Sequence, residues 1–329
     1  MGVTIYDIAK ELDISAATVS RALNGRNDSL ISEATRRRVA ETAKKLGYRP
    51  NVLARALITG KTNNIGMYVM GTQERTGQHF ARMLEAVETR ARILGYRILV
   101  CGEIEGILGN GRVDGIVMLV EPDEDTYGNI LNGTPHMFVW SALEPSLNCV
   151  SWSDASGAYR GTKHLTDLGH RKIVGLFSDF VDQDPPLPKV EGFRRAIAEA
   201  GAESIEYFGE LSPDQFWNGY LQTKHLLEKH DDFTGVLARN DQVALGAMKA
   251  LRQAGKSVPR DVSVVGYNDT VLAHCADPAL TSVHTPIAEA GELAIEQLVK
   301  VIEGGAPEFP GMSLAVSITR RDSCAPPRK

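Results

Sequence analysis

The chain has 329 residues, is 43% hydrophobic and carries a formal charge of −5, more apolar content than one small core uses, so two or three domains are expected. No run of about 18 apolar residues occurs and the opening "MGVTIYDIAK" holds no basic and apolar leader, so the expectation is a cytosolic chain with no membrane partner. Cys101, Cys149, Cys275 and Cys324 are scattered without C-x-x-C spacing or adjacent histidine pairs, which predicts buried free thiols and no metal or other cofactor.

Charge is unevenly placed along the chain. Residues 1–62 hold 11 Lys+Arg against 6 Asp+Glu, leaving 25 against 35 in the remainder. A basic head on an acidic body suits a phosphate backbone, although a solvated helix surface carries charge in the same way.

The head reads as short helices with firm punctuation. Thr4 caps a helix over 5–12, with Asp7 three residues on in a capping-box-like pattern. A turn at Asp13 and Ile14 leads to Ser15, the N-cap of a second helix over 16–23 that Asn24 and Gly25 end. Ser32 caps a third helix, "EATRRRVAETAKKL", with Val39, Ala43 and Leu46 on one face and Gly47 just past its end. The first two helices form a helix-turn-helix, in which the second enters the major groove of DNA. Arg21 offers a fork of donors that matches guanine O6 and N7. Ala16 and Ala17 allow close approach and present methyls to thymine, while Ser15, Thr18 and Ser20 suit phosphate. The same residues would equally cap and surface a plain three-helix module.

In "LGYRPNVLARALITGKTNNIG", Pro50 and Asn51 start a helix of only about two turns before Gly60, too short to be stable alone in water. Its Leu53 and Leu57, beside Arg55, are similar to the leucine wedges of minor-groove binders. Together, "TIYDIAKELDISAATVSRALNG" and "LGYRPNVLARAL" resemble the head and hinge of the lactose-repressor (LacI/GalR) family of bacterial transcription regulators, and the similarity runs on through the chain. The resemblance implies that Ala16, Ala17 and Arg21 read bases and that Leu57 intercalates. Tyr6, Asn24, Tyr48 and Asn51 fall where the family touches backbone or supports the head, and Thr4 and Ala54 join this DNA-contacting set.

Beyond residue 62 apolar strands and helices alternate: "NIGMYVMG", "HFARMLEAVETRARILGY", "RILVCG", "VDGIVMLV", "HMFVWS". A second series starts near Tyr159 and runs to "DVSVVGYND". The resemblance implies an α/β core similar to periplasmic sugar-binding proteins, two doubly wound parallel sheets joined by three crossovers around a cleft. The expected division is a head at 1–49, a hinge at 50–62, a first lobe at 63–158 and 284–311, and a second lobe at 159–283 and 312–329.

Ligands of open α/β sheets bind beyond the C-terminal strand ends. "ARNDQ" and "VVGYND" place Asn240, Asp241, Asn268 and Asp269 there, where an N-cap and a turn are the alternative roles. The family match assigns Asn240 and Asn268 to the pocket, and Lys189 in "KVEGF" stands where relatives often place an effector-gripping arginine. Phe193 and Trp217 are candidate stacking faces, with core packing the alternative for Phe193, and Trp140 supplies a further indole. The chain departs from the family pattern at Ser153-Asp154, where relatives often have Asp-Asn, and at Trp140, where they have an acidic residue. It also departs in a shortened segment at 103–111 and in two extra residues within "GRNDSLIS".

These features favour a regulator, a repressor, that binds an inverted-repeat operator as a homodimer under control of a small-molecule effector. A sugar is preferred and a nucleobase stays open, since amides pair with base edges and indoles stack. A solute-binding receptor explains only the α/β core and leaves the head unexplained. An enzyme lacks support: no G-x-G-x-x-G or Walker motif, no G-x-S-x-G elbow, no H-E-x-x-H, and no nucleophile beside His164 or His170.

Overall fold

The computed structural model describes residues 3–24, 31–48, 60–69, 78–108, 111–122, 124–142, 146–177, 187–209, 212, 214–305 and 308–328. The expectations for Asn51, Ala54 and Leu57 lie outside these residues, as do those for 25–30. The chain forms two compact units, Met1–Thr62 and Asn63–Lys329.

In the first unit α1 (Ile5–Leu12), α2 (Ala16–Asn24) and α3 (Glu33–Leu46) enclose Ile8, Ala9, Val19, Val39 and Ala43. Of the three expected N-caps, those of α1 and α3 close as follows. The Asp7 carboxylate accepts from the Thr4 amide and hydroxyl, each at 2.8 Å. Ser32 Oγ accepts from the Thr35 amide. Asp13 and Gly47 end α1 and α3 in the left-handed region, at φ 52° and 68°, where Gly47 has no Cβ to strain.

The second unit holds two sheets of matching topology. The first takes β1 (Asn64–Val69), β2 (Arg97–Cys101), β3 (Gly115–Leu119), β4 (His136–Ser141), β5 (Cys149–Trp152) and β11 (Met312–Leu314), in the order β11-β5-β4-β3-β1-β2 and parallel throughout. The second takes β6 (Lys172–Phe177), β7 (Glu203–Phe208), β8 (Gly235–Ala238), β9 (Ser263–Tyr267), β10 (Thr281–His284) and β12 (Ser317–Thr319), in the order β12-β10-β9-β8-β6-β7. Only the β10–β12 pair is antiparallel. The central strands read as continuous apolar runs because helices cover both faces.

Around the first sheet lie α4 (Gln78–Ile93), α5 (Glu105–Leu108), α6 (Glu124–Leu131) and α12 (Ile287–Ile302). Around the second lie α7 (Asp154–Asp167), α8 (Pro188–Ala200), α9 (Gln215–Leu227), α10 (Asp241–Gln253) and α11 (Val271–Cys275). The shortened segment keeps a single helical turn, α5, yet Ile104 and Ile107 still pack on Ile116 and Phe138 to close that face.

Three crossovers join the lobes, as the resemblance implies, but they fall elsewhere than at 158, 284 and 311. The chain passes over at Ser153, at residues 285–286, and between β11 and β12. Ser153 decides the first, because its side chain caps α7, whose residues Ala158 and Leu165 pack into the core of the second lobe. The cysteines are free thiols, of which Cys149 is buried whereas Cys275 is exposed, against expectation.

Candidate functional site

Two candidate sites emerge, one in each unit. On α2, Ala17 and Arg21 stand one turn apart on the exposed face, while Val19 turns into the core. Ala16 is half-buried against that core, so Ala17 is the methyl left open for contact. Ser15 and Thr18 have a structural role already: the Thr18 amide donates to Ser15 Oγ at 3.0 Å and the two hydroxyls pair at 2.8 Å. They anchor the start of α2 and remain at its exposed end. Ser20 is half-buried. Tyr6 is 72% exposed on α1, and Tyr48 packs on the head core, with its amide bonded to the Ala43 carbonyl. Asn24 closes α2.

The second site lies at the C-terminal strand ends of the second unit. Lys189 opens α8, and Gly192 one turn later sets its height: a Cβ there would stand 2.0 Å from the Ala155 carbonyl, so only glycine lets α8 rest on the first turn of α7. That contact brings Lys189 Nζ to 3.6 Å from Asp154 Oδ2, 3.4 Å from the Arg239 carbonyl and 4.1 Å from the centre of the Tyr267 ring. Asp154 Oδ1 accepts from Trp152 Nε1 at 3.1 Å and Tyr267 Oη at 3.0 Å, and the Asp154 amide donates to Ser141 Oγ. Burial, followed by the Asp154 charge, holds the Tyr267 hydroxyl in its protonated form.

The first lobe contributes two residues of α4. The His79 ring lies edge-on to Trp152, its Nδ1 buried and without a partner. Burial, reinforced by the charge of Lys189, pushes its pKa down to about 3, so the imidazole is neutral. Arg82 reaches across to the second lobe and donates to the carbonyls of Asn268 and Asp269 at 3.4 and 3.0 Å. Both acceptors sit at positive φ, 91° and 51°, which turns their carbonyls toward the guanidinium.

The two carboxylates next to the pocket candidates are committed elsewhere. Asp241 is buried and accepts from the Thr270 amide and hydroxyl and from Ser282 Oγ; burial raises its pKa against these bonds. Asp269 accepts from His284, Thr319 and Arg321. Burial opposes its ionisation, but these donors and the Arg321 charge prevail and hold its carboxyl well below the usual range.

Of the expected pocket residues, Lys189, Asn240 and Asn268 stand at the strand ends. Asn240 caps α10 through the Val243 amide and also meets Gln215 Oε1 at 3.3 Å. Trp140 ends β4 in the first lobe and is 37% exposed. Two expectations need correcting. Phe193 is fully buried, edge-on to Phe177 with ring centres 5.4 Å apart, because the position that faces the sheet from α8 is core. Trp217 packs on Phe216, Tyr220 and Lys249 on the α9–α10 flank, and Gln215, two residues earlier, is the α9 side chain that reaches Arg239 and Asn240. His79, Arg82, Trp152, Asp154, Gln215, Arg239 and Tyr267 were missed. Asp154 and Arg239 follow the ends of β5 and β8, so the strand-end rule reaches them; His79 and Arg82 lie in the other lobe with no local signal.

The profile described as "Bacterial regulatory proteins, lacI family" matches residues 4–51, and that of a "Periplasmic binding protein-like domain" matches residues 162–324. The HTH-type transcriptional repressor PurR of Aliivibrio salmonicida is 30% identical over 91% of this chain and 92% of its own. The chain belongs to the lacI family of bacterial regulatory proteins. The ribose operon repressor of Escherichia coli K12 is likewise 30% identical, over 90% of this chain and 92% of its own. Among solved structures, the lac repressor dimer bound to operator and the anti-inducer ONPF superposes with a TM-score of 0.85 at 26% identity, covering 99% of this chain and 100% of that one. These relatives are transcriptional regulators. Among the described residues no helix is long and apolar enough to cross a membrane, and no group of three or more His, Cys, Asp or Glu side chains is placed to hold a metal ion.

Proposed function

We propose that this lacI-family protein is a sequence-specific transcriptional repressor that acts in the cytoplasm as a homodimer on an inverted-repeat operator, with its operator affinity set by a small molecule in the cleft between the lobes. The observation that carries the DNA half is the exposed pair Ala17 and Arg21 on the second helix of a helix-turn-helix whose opposite face packs Val19, Ala22 and Leu23 on the head core. Arg21 reads a guanine, Ala17 meets the groove floor, and Ser15, Thr18, Ser20 and Tyr6 approach the backbone. Thr4, Asn24 and Tyr48 support the head, and Asn51, Ala54 and Leu57 belong to the hinge contact with the minor groove.

The effector half rests on polar side chains gathered from both lobes at one set of strand ends: His79 and Arg82 from the first, Lys189, Gln215, Arg239, Asn240 and Asn268 from the second. A sugar or sugar derivative matches this density of donors and acceptors, as the name of the ribose operon repressor suggests by kinship. A purine is the second reading, since the amides of Asn240 and Asn268 can pair with a base edge. Exposed Ile93, Leu99 and Val100 in the first lobe and Leu221 and Val271 in the second are apolar surface for the partner copy.

The test is binding of the full chain to an inverted-repeat duplex and to a single half-site. The repeat binds far more tightly, and Arg21→Ala costs about 1–3 kcal/mol while flattening preference at one base pair per half-site. Equal affinity for a lone half-site contradicts the dimer, and uniform weakening across sequences moves Arg21 to phosphate.

A further inference from the structure

Among the described residues, Lys189 is a nearly buried cation without a close acceptor. Its side chain is 12% exposed, yet its contacts are a carbonyl at 3.4 Å, a carboxylate oxygen at 3.6 Å and a ring face at 4.1 Å. Charge-assisted N–H···O bonds are normally about 2.7–2.9 Å long. Asp154 is not placed to shorten its contact, because Trp152 and Tyr267 hold its other oxygen. A desolvated ammonium with only long contacts is costly, and an anion supplied from outside offsets that cost.

His79 gives an independent sign. Its Nδ1 is buried and unpartnered, and its ring lies against the indole that holds Asp154. Burial, with the charges of Lys189 and Arg82 added, keeps it neutral, so its ring N–H can donate a hydrogen bond to an oxygen acceptor. Arg82 rests on two neutral carbonyls, and Asp241 and Asp269 are held by other donors. Asp154 is thus the one carboxylate that answers Lys189 among the described residues.

We infer that the cleft ligand carries an anionic group, a carboxylate or a phosphate on a sugar-sized scaffold, which docks on Lys189 beside His79. The inference rests on the reading that the cleft takes a small-molecule effector. Asp154 then orients Lys189, and the incoming anion becomes its short partner.

Calorimetric titration of the full chain with D-gluconate, D-galacturonate and D-glucose 6-phosphate, against D-glucose and D-galactose at fixed ionic strength, tests it. At least one acid binds about tenfold or more tightly than its neutral counterpart, and which acid does so separates carboxylate from phosphate. Lys189→Met abolishes the preference, Lys189→Arg keeps it, and His79→Ala weakens the acid more than the neutral sugar. Should Lys189→Met misfold, Lys189→Gln and His79→Ala carry the same comparison. Equal or tighter binding of the neutral sugars, binding of none of the acids, or a preference that survives loss of Lys189 overturns the inference. A neutral sugar that binds and shifts operator affinity would sink this inference and leave the effector reading standing. An acid that binds at Lys189 without changing operator affinity does the reverse.

Discussion

The proposed DNA-reading face and the proposed effector cleft are built in opposite ways. The face on α2 comes from one stretch of ten residues, ordered by its own caps and by an i, i+4 spacing. The cleft draws on residues from His79 to Asn268, which meet only because two sheets of the same strand order end side by side. The first is therefore a property of a local segment and the second of topology. A substitution in the cleft region is accordingly expected to disturb fold and function together more often than one on α2.

Phe193→Ala sharpens that contrast most. It opens a hole between α8 and β6 and should lower the stability of the second unit by about 3–5 kcal/mol, read as a shift in its urea midpoint, with the head unaffected. A ligand-facing Phe193 would instead lose affinity at unchanged stability. The acid response comes next. The Asp269 carboxyl is held below its unfolded value of about 3.9, so its contribution is complete above that pH and is lost as pH falls through it. Asp269→Asn should flatten the loss of stability between about pH 5 and pH 2; an unchanged acid limb contradicts the Arg321, His284 and Thr319 contacts. Smaller still is Asn240→Ala, which removes the cap of α10 at about 1 kcal/mol. Smallest is Trp217→Ala, which should change ligand affinity by less than about 0.5 kcal/mol because its ring lies on the α9–α10 flank. A large loss of affinity there would return the tryptophan to the cleft.

Much of the fold was legible because its signals are local. Thr4, Ser15 and Ser32 mark helix starts by their side-chain chemistry, and Gly47 marks a stop by its missing Cβ. The crossovers were misplaced by several residues because Ser153 caps a helix as any serine does, and nothing nearby says which lobe that helix serves. In the cleft, the lysine of "KVEGF" was reached only through the family resemblance, and the structure adds that Gly192 lets α8 rest on α7 beside it. Phe193 and Trp217 misled for one reason: aromatic type does not tell which side of a helix faces the ligand, and one residue along a helix is about 100° of rotation. His79 and Arg82 lie more than a hundred residues from Lys189, and their role is set by packing of the lobes.

The central claim is that the two regions, so differently built, are coupled in one dimer. The most direct measurement is the affinity of the full chain for its inverted-repeat operator with and without a saturating cleft ligand, paired with the affinity for that ligand with and without operator. The account predicts a change of about 5- to 150-fold in operator affinity and the same factor, by linkage, in ligand affinity. A ligand that occupies the cleft at Lys189 while leaving operator affinity unchanged would contradict it.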